Sequence, residues 1–113
     1  MIREAGFLRK LPDDDNLYLT IDGNRAIIRG VDIPRILTGT QKPILHKKRQ
    51  VGTIRAYHRP GHTDLILIET NNLEYRIWQN LFVDVWNQEL KWAKVFEKVM
   101  PTWYDCNRQE ATA

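Results

Sequence analysis

Between Leu17 and Trp78 apolar residues keep returning at every second position, in short runs cut by turn-forming residues. Period two puts successive side chains on opposite faces of an extended chain, so such runs are strands rather than helices. Leu17, Leu19 and Ile21 share one face, Asp22-Gly23-Asn24 follows, and Arg25 to Arg29 returns as a second strand. Asp-Gly is a strong hairpin signal because Gly accepts positive φ. Further on, 51–57 reads as a strand, 58–63 as a loop with Pro60-Gly61 at its tip, and 64–70 as a strand. An Asn71-Asn72 turn and a strand over 73–78 complete a three-stranded antiparallel meander. Leu65-Ile66-Leu67-Ile68 is wholly apolar, which predicts a central strand covered on both faces. Residues 1–12 form a first strand or a loose arm, Pro34 sits at an edge or in a connection, 35–42 connects, and Pro43-Ile44-Leu45 begins another strand.

From Gln79 the period changes. Leu81, Val85, Trp92, Phe96 and Val99, joined by Phe82, Trp86, Leu90, Ala93 and Met100, fit 3.6-residue spacing. With Asn80 as N-cap, Pro101 as stop and Lys91, Lys94 and Lys98 toward the end, this predicts an amphipathic helix of about five turns. The expected fold class is therefore α+β: a curled antiparallel sheet or small barrel of five to six strands, capped by one long C-terminal helix. An SH3-like or OB-like barrel fits the element lengths, and the order of strands first and one aromatic-bearing helix last resembles a pleckstrin-homology-like sheet at fold level. At 113 residues the chain suits one domain, 1–101, with a partly ordered tail over 102–113. It can bury a core without disulfides or metal. The single cysteine, Cys106, cannot pair internally, and no window approaches the ~20 apolar residues of a membrane span. With no signal-peptide pattern at the N-terminus, the expected location is cytoplasmic.

Charge is unevenly placed. The stretch Ile33–Thr63 holds Arg35, Lys42, Lys47, Lys48, Arg49, Arg55 and Arg59, with no Asp or Glu, and all 3 histidines of the chain, His46, His58 and His62. The whole chain carries 17 basic and 14 acidic side chains for a net of +3, so the remainder keeps 10 basic against 14 acidic, a net of −4. A basic segment in an acidic remainder points to an anionic partner. Lys and Arg supply the salt-sensitive part of nucleic-acid affinity, and an interleaved aromatic supplies base stacking. The leading expectation is a small non-enzymatic binding domain that engages RNA or DNA through a loop–strand–loop surface over 42–62. Its residues are Lys42, Lys47, Lys48, Arg49, Arg55, Tyr57, His58, Arg59 and His62. A strand over 51–57 would span roughly 23 Å, with Arg55 and Tyr57 on one side.

The alternative is a protein-interaction module or inhibitor that presents the same basic face to an acidic protein surface. Trp86 and Trp92 would be its interface, since they stand about 120° apart on the expected helix and one of them faces outward. A homodimer through that helix belongs to the same reading. A third reading puts the basic loops on an anionic membrane surface. A fourth is a metal-free nuclease using His58 or His62. His58, His62 and Asp64 include zinc-ligand types, but Pro60-Gly61 breaks the helical spacing that would align them, so no metal or cofactor is expected. The run Asp13-Asp14-Asp15-Asn16 lacks the alternation and bend glycine of a calcium loop and reads as a solvated turn.

Overall fold

The computed structural model describes residues 2–58, 60, 64–71 and 73–98. Eight strands follow one another around a closed antiparallel barrel, each bonded to its neighbours in sequence order and the last to the first. They are β1 (Ile2–Lys10), β2 (Leu17–Ile21), β3 (Asn24–Ile28), β4 (Lys42–His46), β5 (Arg49–Tyr57), β6 (Leu65–Thr70), β7 (Leu73–Trp78) and β8 (Trp92–Lys98). Two short helices, α1 (Ile33–Leu37) and α2 (Gln79–Trp86), lie in the β3–β4 and β7–β8 connections. Both connections fall at the same end of the barrel, and the two-residue turns Asp22-Gly23 and Lys47-Lys48 lie at the other.

The interior is a filled core. Leu17 and Leu19 from β2, Ile54 from β5, Ile66 and Ile68 from β6, Ile77 from β7 and Val95 from β8 all point inward and are buried. An eight-stranded barrel is just wide enough for side chains to fill it. Ile33 and Ile36 of α1, and Phe82 and Val85 of α2, are fully buried in the same cluster, so the helices stopper one end. A buried Phe such as Phe82 contributes about 3–5 kcal/mol against truncation to Ala.

The expected five-to-six-stranded sheet capped by a long C-terminal helix is corrected on two counts: the sheet is a closed barrel of eight strands, and the helix stops at Trp86. Beyond the cap Asn87, Gln88 takes φ 63. Its N–H bonds Val85 O at 3.0 Å, and Glu89 N–H bonds Asp84 O at 2.8 Å. These are the paired bonds of a Schellman helix end, which normally carries Gly at the left-handed position. Gln at that position hid the stop. After it, Ala93 and Val95 turn inward while Trp92, Lys94 and Phe96 face outward, so 92–96 obeys period two. Seen as one run, the apolar residues of a helix and of a following strand imitate a single helical stripe. The basic residue Lys94, read as favouring a helix C-terminus, instead pairs with Glu4 of β1 at 3.3 Å.

β8 closes the barrel on β1 from Ile2↔Lys98 to Arg9↔Trp92, with a bulge between Glu4 and Gly6. The first segment is thus a strand held on both edges. Residues 99–101 and the tail 102–113 lie outside the described residues. The thinnest seam is β3–β4, which among the described residues ladder through Ile27↔Leu45 alone. The chain between them is occupied by a 3₁₀ turn, Gly30–Asp32, and by α1, where Pro34 stands in the first turn and so gives up no internal bond. Gly30 packs so tightly that a Cβ would lie 1.9 Å from Asp15 O and 2.9 Å from the Trp86 ring. Among the described residues no helix is long and apolar enough to cross a membrane.

Candidate nucleic-acid interface

The basic run His46-Lys47-Lys48-Arg49 forms the tip of the β4–β5 hairpin. His46 and Arg49 pair across it, leaving Lys47 and Lys48 as a two-residue turn. Their φ values are 52 and 67. A tight turn between twisted strands demands positive φ at both positions, which is why Asn and Gly normally occupy it. All four basic side chains of this tip are exposed.

β5 continues from the tip toward the helix end. Ile54 points into the core, so Thr53, Arg55 and Tyr57 face outward on alternate positions, while a bulge at Val51, where Ile44 pairs with Gly52 and Leu45 with Gln50, breaks that alternation before Arg49. Over nine residues the strand runs about 30 Å at ~3.3 Å per residue. The Arg55 guanidinium lies over the Tyr57 ring, 5.5 Å from its centroid. The strand register extends this pair sideways. Tyr57 stands beside Leu65, and Leu65 beside Trp78. The next row runs Arg55, Leu67, Arg76, Phe96. Trp78 is 45% exposed, whereas Leu67 is buried between two arginines, whose stems cover apolar surface well. The outer wall thus offers aromatic faces with guanidinium groups beside them. A third row, Thr53, Glu69, Glu74, is acidic on β6 and β7, and the Arg76 Nε lies 3.3 Å from Glu74 Oε2. An anion is therefore favoured along β5 more than across it.

Arg76, Trp78 and Phe96 are not among the site residues expected from the sequence, which put Phe96 on the helix stripe. Alternation along Leu73-Glu74-Tyr75-Arg76-Ile77-Trp78 already puts Arg76 and Trp78 opposite the core face, but nothing local says that they flank Arg55 and Tyr57.

The remaining expected residues scatter. Lys42 leans toward the buried Asp32, with Nζ 3.9 Å from Oδ1, while Arg29 Nε donates to Oδ2 at 3.1 Å. Asp32 is 4% exposed, so these two cations serve a buried carboxylate. His58 Nδ1 lies 2.5 Å from Asp64 Oδ1, closing the base of the β5–β6 loop at the end opposite the Lys47-Lys48 tip. Arg59 and His62 lie outside the described residues. Trp86 is half-buried against the core with Lys10 Nζ 5.5 Å from its ring centroid. Trp92 is 53% exposed and sits on a strand, so the two tryptophans share no helix face. The homodimer drawn on a long helix loses that scaffold.

At the turn end of the barrel a polar network ties the first hairpin down. Arg3 Nη2 donates to Asp22 Oδ1 at 2.8 Å, Arg3 Nε to Glu97 Oε1 at 3.0 Å, and the Tyr75 hydroxyl to Asp22 Oδ2 at 3.0 Å. The Arg3 bond, with help from Tyr75, holds the Asp22 carboxyl below its usual range. Burial first, and the bond to Asp22 second, push the Tyr75 hydroxyl up. Asp14, from the acidic run, accepts from Asn16 N–H at 2.8 Å and from the Tyr18 hydroxyl, which lowers its pKa. Comparison with protein-family models, curated proteins and solved structures finds no match to this chain.

Proposed function

We propose that the protein is a non-enzymatic nucleic-acid-binding barrel that lays a single strand along the outer face of β5. Lys47, Lys48 and Arg49 meet phosphates at the tip, Arg55 and Arg76 meet them further along, and Tyr57 and Trp78 stack on bases. Strands lie about 4.8 Å apart, so two aromatics two strands apart are about 10 Å apart, enough to hold separate bases. One observation carries the reading: two lysines occupy the left-handed positions of a tight turn, where they are exposed and where other residues fit better. Backbone strain of this kind persists where the side chain is needed for something else. The expected setting is the cytoplasm.

Fluorescence anisotropy with single-stranded RNA, single-stranded DNA and duplex DNA at two salt concentrations tests this. Micromolar or tighter binding of a single strand, falling steeply with salt, is the expected result. Absence of binding at low salt would remove the reading.

A second reading rests on Trp92. With Phe7, Leu11 and Leu90 it lines an apolar groove of about 710 Å³, edged by Arg9 and Lys91. Exposed aromatics in such a groove suit a protein partner. A partner protein bound by the parent and lost on Trp92→Ala, with no polynucleotide binding, would put this reading first.

A further inference from the structure

On the other side of the Lys47-Lys48 turn from β5, a second groove of about 460 Å³ crosses the outer wall of β1 to β4. Its floor follows from register. Arg9 stands beside Tyr18, Tyr18 beside Ile27, and Ile27 beside Leu45. One row is thus a cation followed by an aromatic and two aliphatic side chains. In the next row toward the turn end, Thr20 stands beside Arg25, and His46 and Lys47 complete that side. The groove is apolar along its floor, with a cluster of nitrogen donors at one edge and Arg9 at the other.

Further observations favour a ligand here. Among the described residues no carboxylate lines the groove, and Arg9, Arg25, His46 and Lys47 make no ion pair. Of the nearby acids, Asp22 is engaged by Arg3 and Tyr75, and Asp14, held by Asn16, accepts from the hydroxyl of the floor residue Tyr18 and so leaves the four cationic side chains unpaired. The single ladder pair at Ile27↔Leu45 leaves Arg25 and His46 outside the β3–β4 ladder, on opposite sides of the seam. A smaller cavity of about 280 Å³ at the barrel mouth shares Arg25, Ala26 and His46 with the groove. The volume of the groove falls within the roughly 300–1,000 Å³ of small-ligand sites, which are mostly apolar with a few convergent polar groups.

We infer that this groove binds a nucleoside monophosphate, with the planar base on the Tyr18–Ile27–Leu45 floor and the phosphate at Arg25, His46 and Lys47. A dianionic phosphate matches that edge because its three oxygens accept from several donors at once, and Arg can bind two of them side by side. A flat ring matches the floor, where the Tyr18 ring offers a stacking face. The site stands on its own residues and does not require a polymer along β5, though Lys47 borders both surfaces.

The test is isothermal titration of the full chain with adenosine 5′-monophosphate, adenosine and inorganic phosphate at low salt. The monophosphate binds saturably at one site, and adenosine and phosphate each bind at least about tenfold more weakly, since each keeps only part of the contact. Arg25→Ala weakens the monophosphate by about tenfold or more, Arg9→Ala by less, and Arg35→Ala, at an exposed position of α1 outside the groove, not at all. Thermal melts of the variants check that these exposed positions leave folding intact. No saturable monophosphate binding, binding indifferent to Arg25→Ala, or phosphate binding as tightly as the monophosphate would each overturn the inference. Monophosphate binding without polynucleotide binding would retain the groove and remove the β5 reading. Polynucleotide binding without monophosphate binding would do the reverse.

Discussion

Two turns at the same end of the barrel solve the same backbone problem with opposite residues. Asp22-Gly23 and Lys47-Lys48 each join adjacent antiparallel strands through two residues, and each takes positive φ at both, 50 and 82 against 52 and 67. Gly carries no Cβ to clash in that conformation, and Asp tolerates it through its short polar side chain. In the first turn Asp22 also binds Arg3 and Tyr75, so its carboxylate serves the fold. Lysine has neither advantage. Each left-handed non-glycine residue costs roughly 1–2 kcal/mol, and neither Lys47 nor Lys48 has an ion-pair partner among the described residues. One turn is shaped for stability, whereas the other keeps charge at the tip at the expense of stability.

The largest effect that separates the two turns is on binding. Replacing Lys47, Lys48 and Arg49 by Ala lowers single-strand affinity about 100-fold at low salt and reduces the salt slope by about 2, from ~0.7 per lost phosphate contact. An unchanged slope in anisotropy would mean that the tip carries no binding charge. Exchanging Lys47-Lys48 for Asn-Gly makes the hairpin more stable by about 1–2 kcal/mol while weakening binding, because Asn-Gly suits the conformation. If denaturant unfolding finds no gain, the lysines are not strained and the contrast fails. In the other direction, Gly23→Lys costs about 1 kcal/mol. Nothing lies within 4 Å of a Cβ built there, so the loss reports conformation and not a clash.

The smallest effect is a pH dependence confined to the first turn. The Asp22 carboxyl has its pKa lowered in the folded state, chiefly by the Arg3 hydrogen bond. Its stabilisation is therefore present above the unfolded value of about 3.9 and is lost as pH falls through the folded value. Unfolding of parent and Asp22→Asn should differ at neutral pH, with the parent more stable, and converge in strong acid. Because Asp14 titrates the same way, only the difference between the two proteins isolates Asp22. A gap that persists at low pH would place the role of Asp22 in turn geometry and not in charge.

Much of the sheet was legible residue by residue. Leu17, Leu19 and Ile21 do face one way, and 51–78 does run as three antiparallel strands. The turn at Lys47-Lys48 was not legible, because turn chemistry is read from Asn, Asp and Gly, and this turn has none. The end of α2 was missed for the same reason, with Gln88 at the position where Gly is expected. Both failures fall where a residue sits in a conformation it does not prefer. At Lys47-Lys48 that misfit motivates a binding role, whereas at Gln88 no such role is argued.

Of the proposed binding surface, the sequence by itself determined the charge of the tip and the facing of Arg55 with Tyr57, since both follow from composition and from strand periodicity. It also determined that Arg76 and Trp78 leave the core. Only the tertiary structure decided that they stand next to Arg55 and Tyr57, that Arg9 and Arg25 join His46 and Lys47, and that Lys42 turns to the buried Asp32. Neighbourhood across strands depends on register, and register here depends on closing the barrel through β8, a segment whose local pattern suits helix and strand alike. Periodicity assigns each side chain a face, but the partners on that face are set by long-range pairing that no single segment contains.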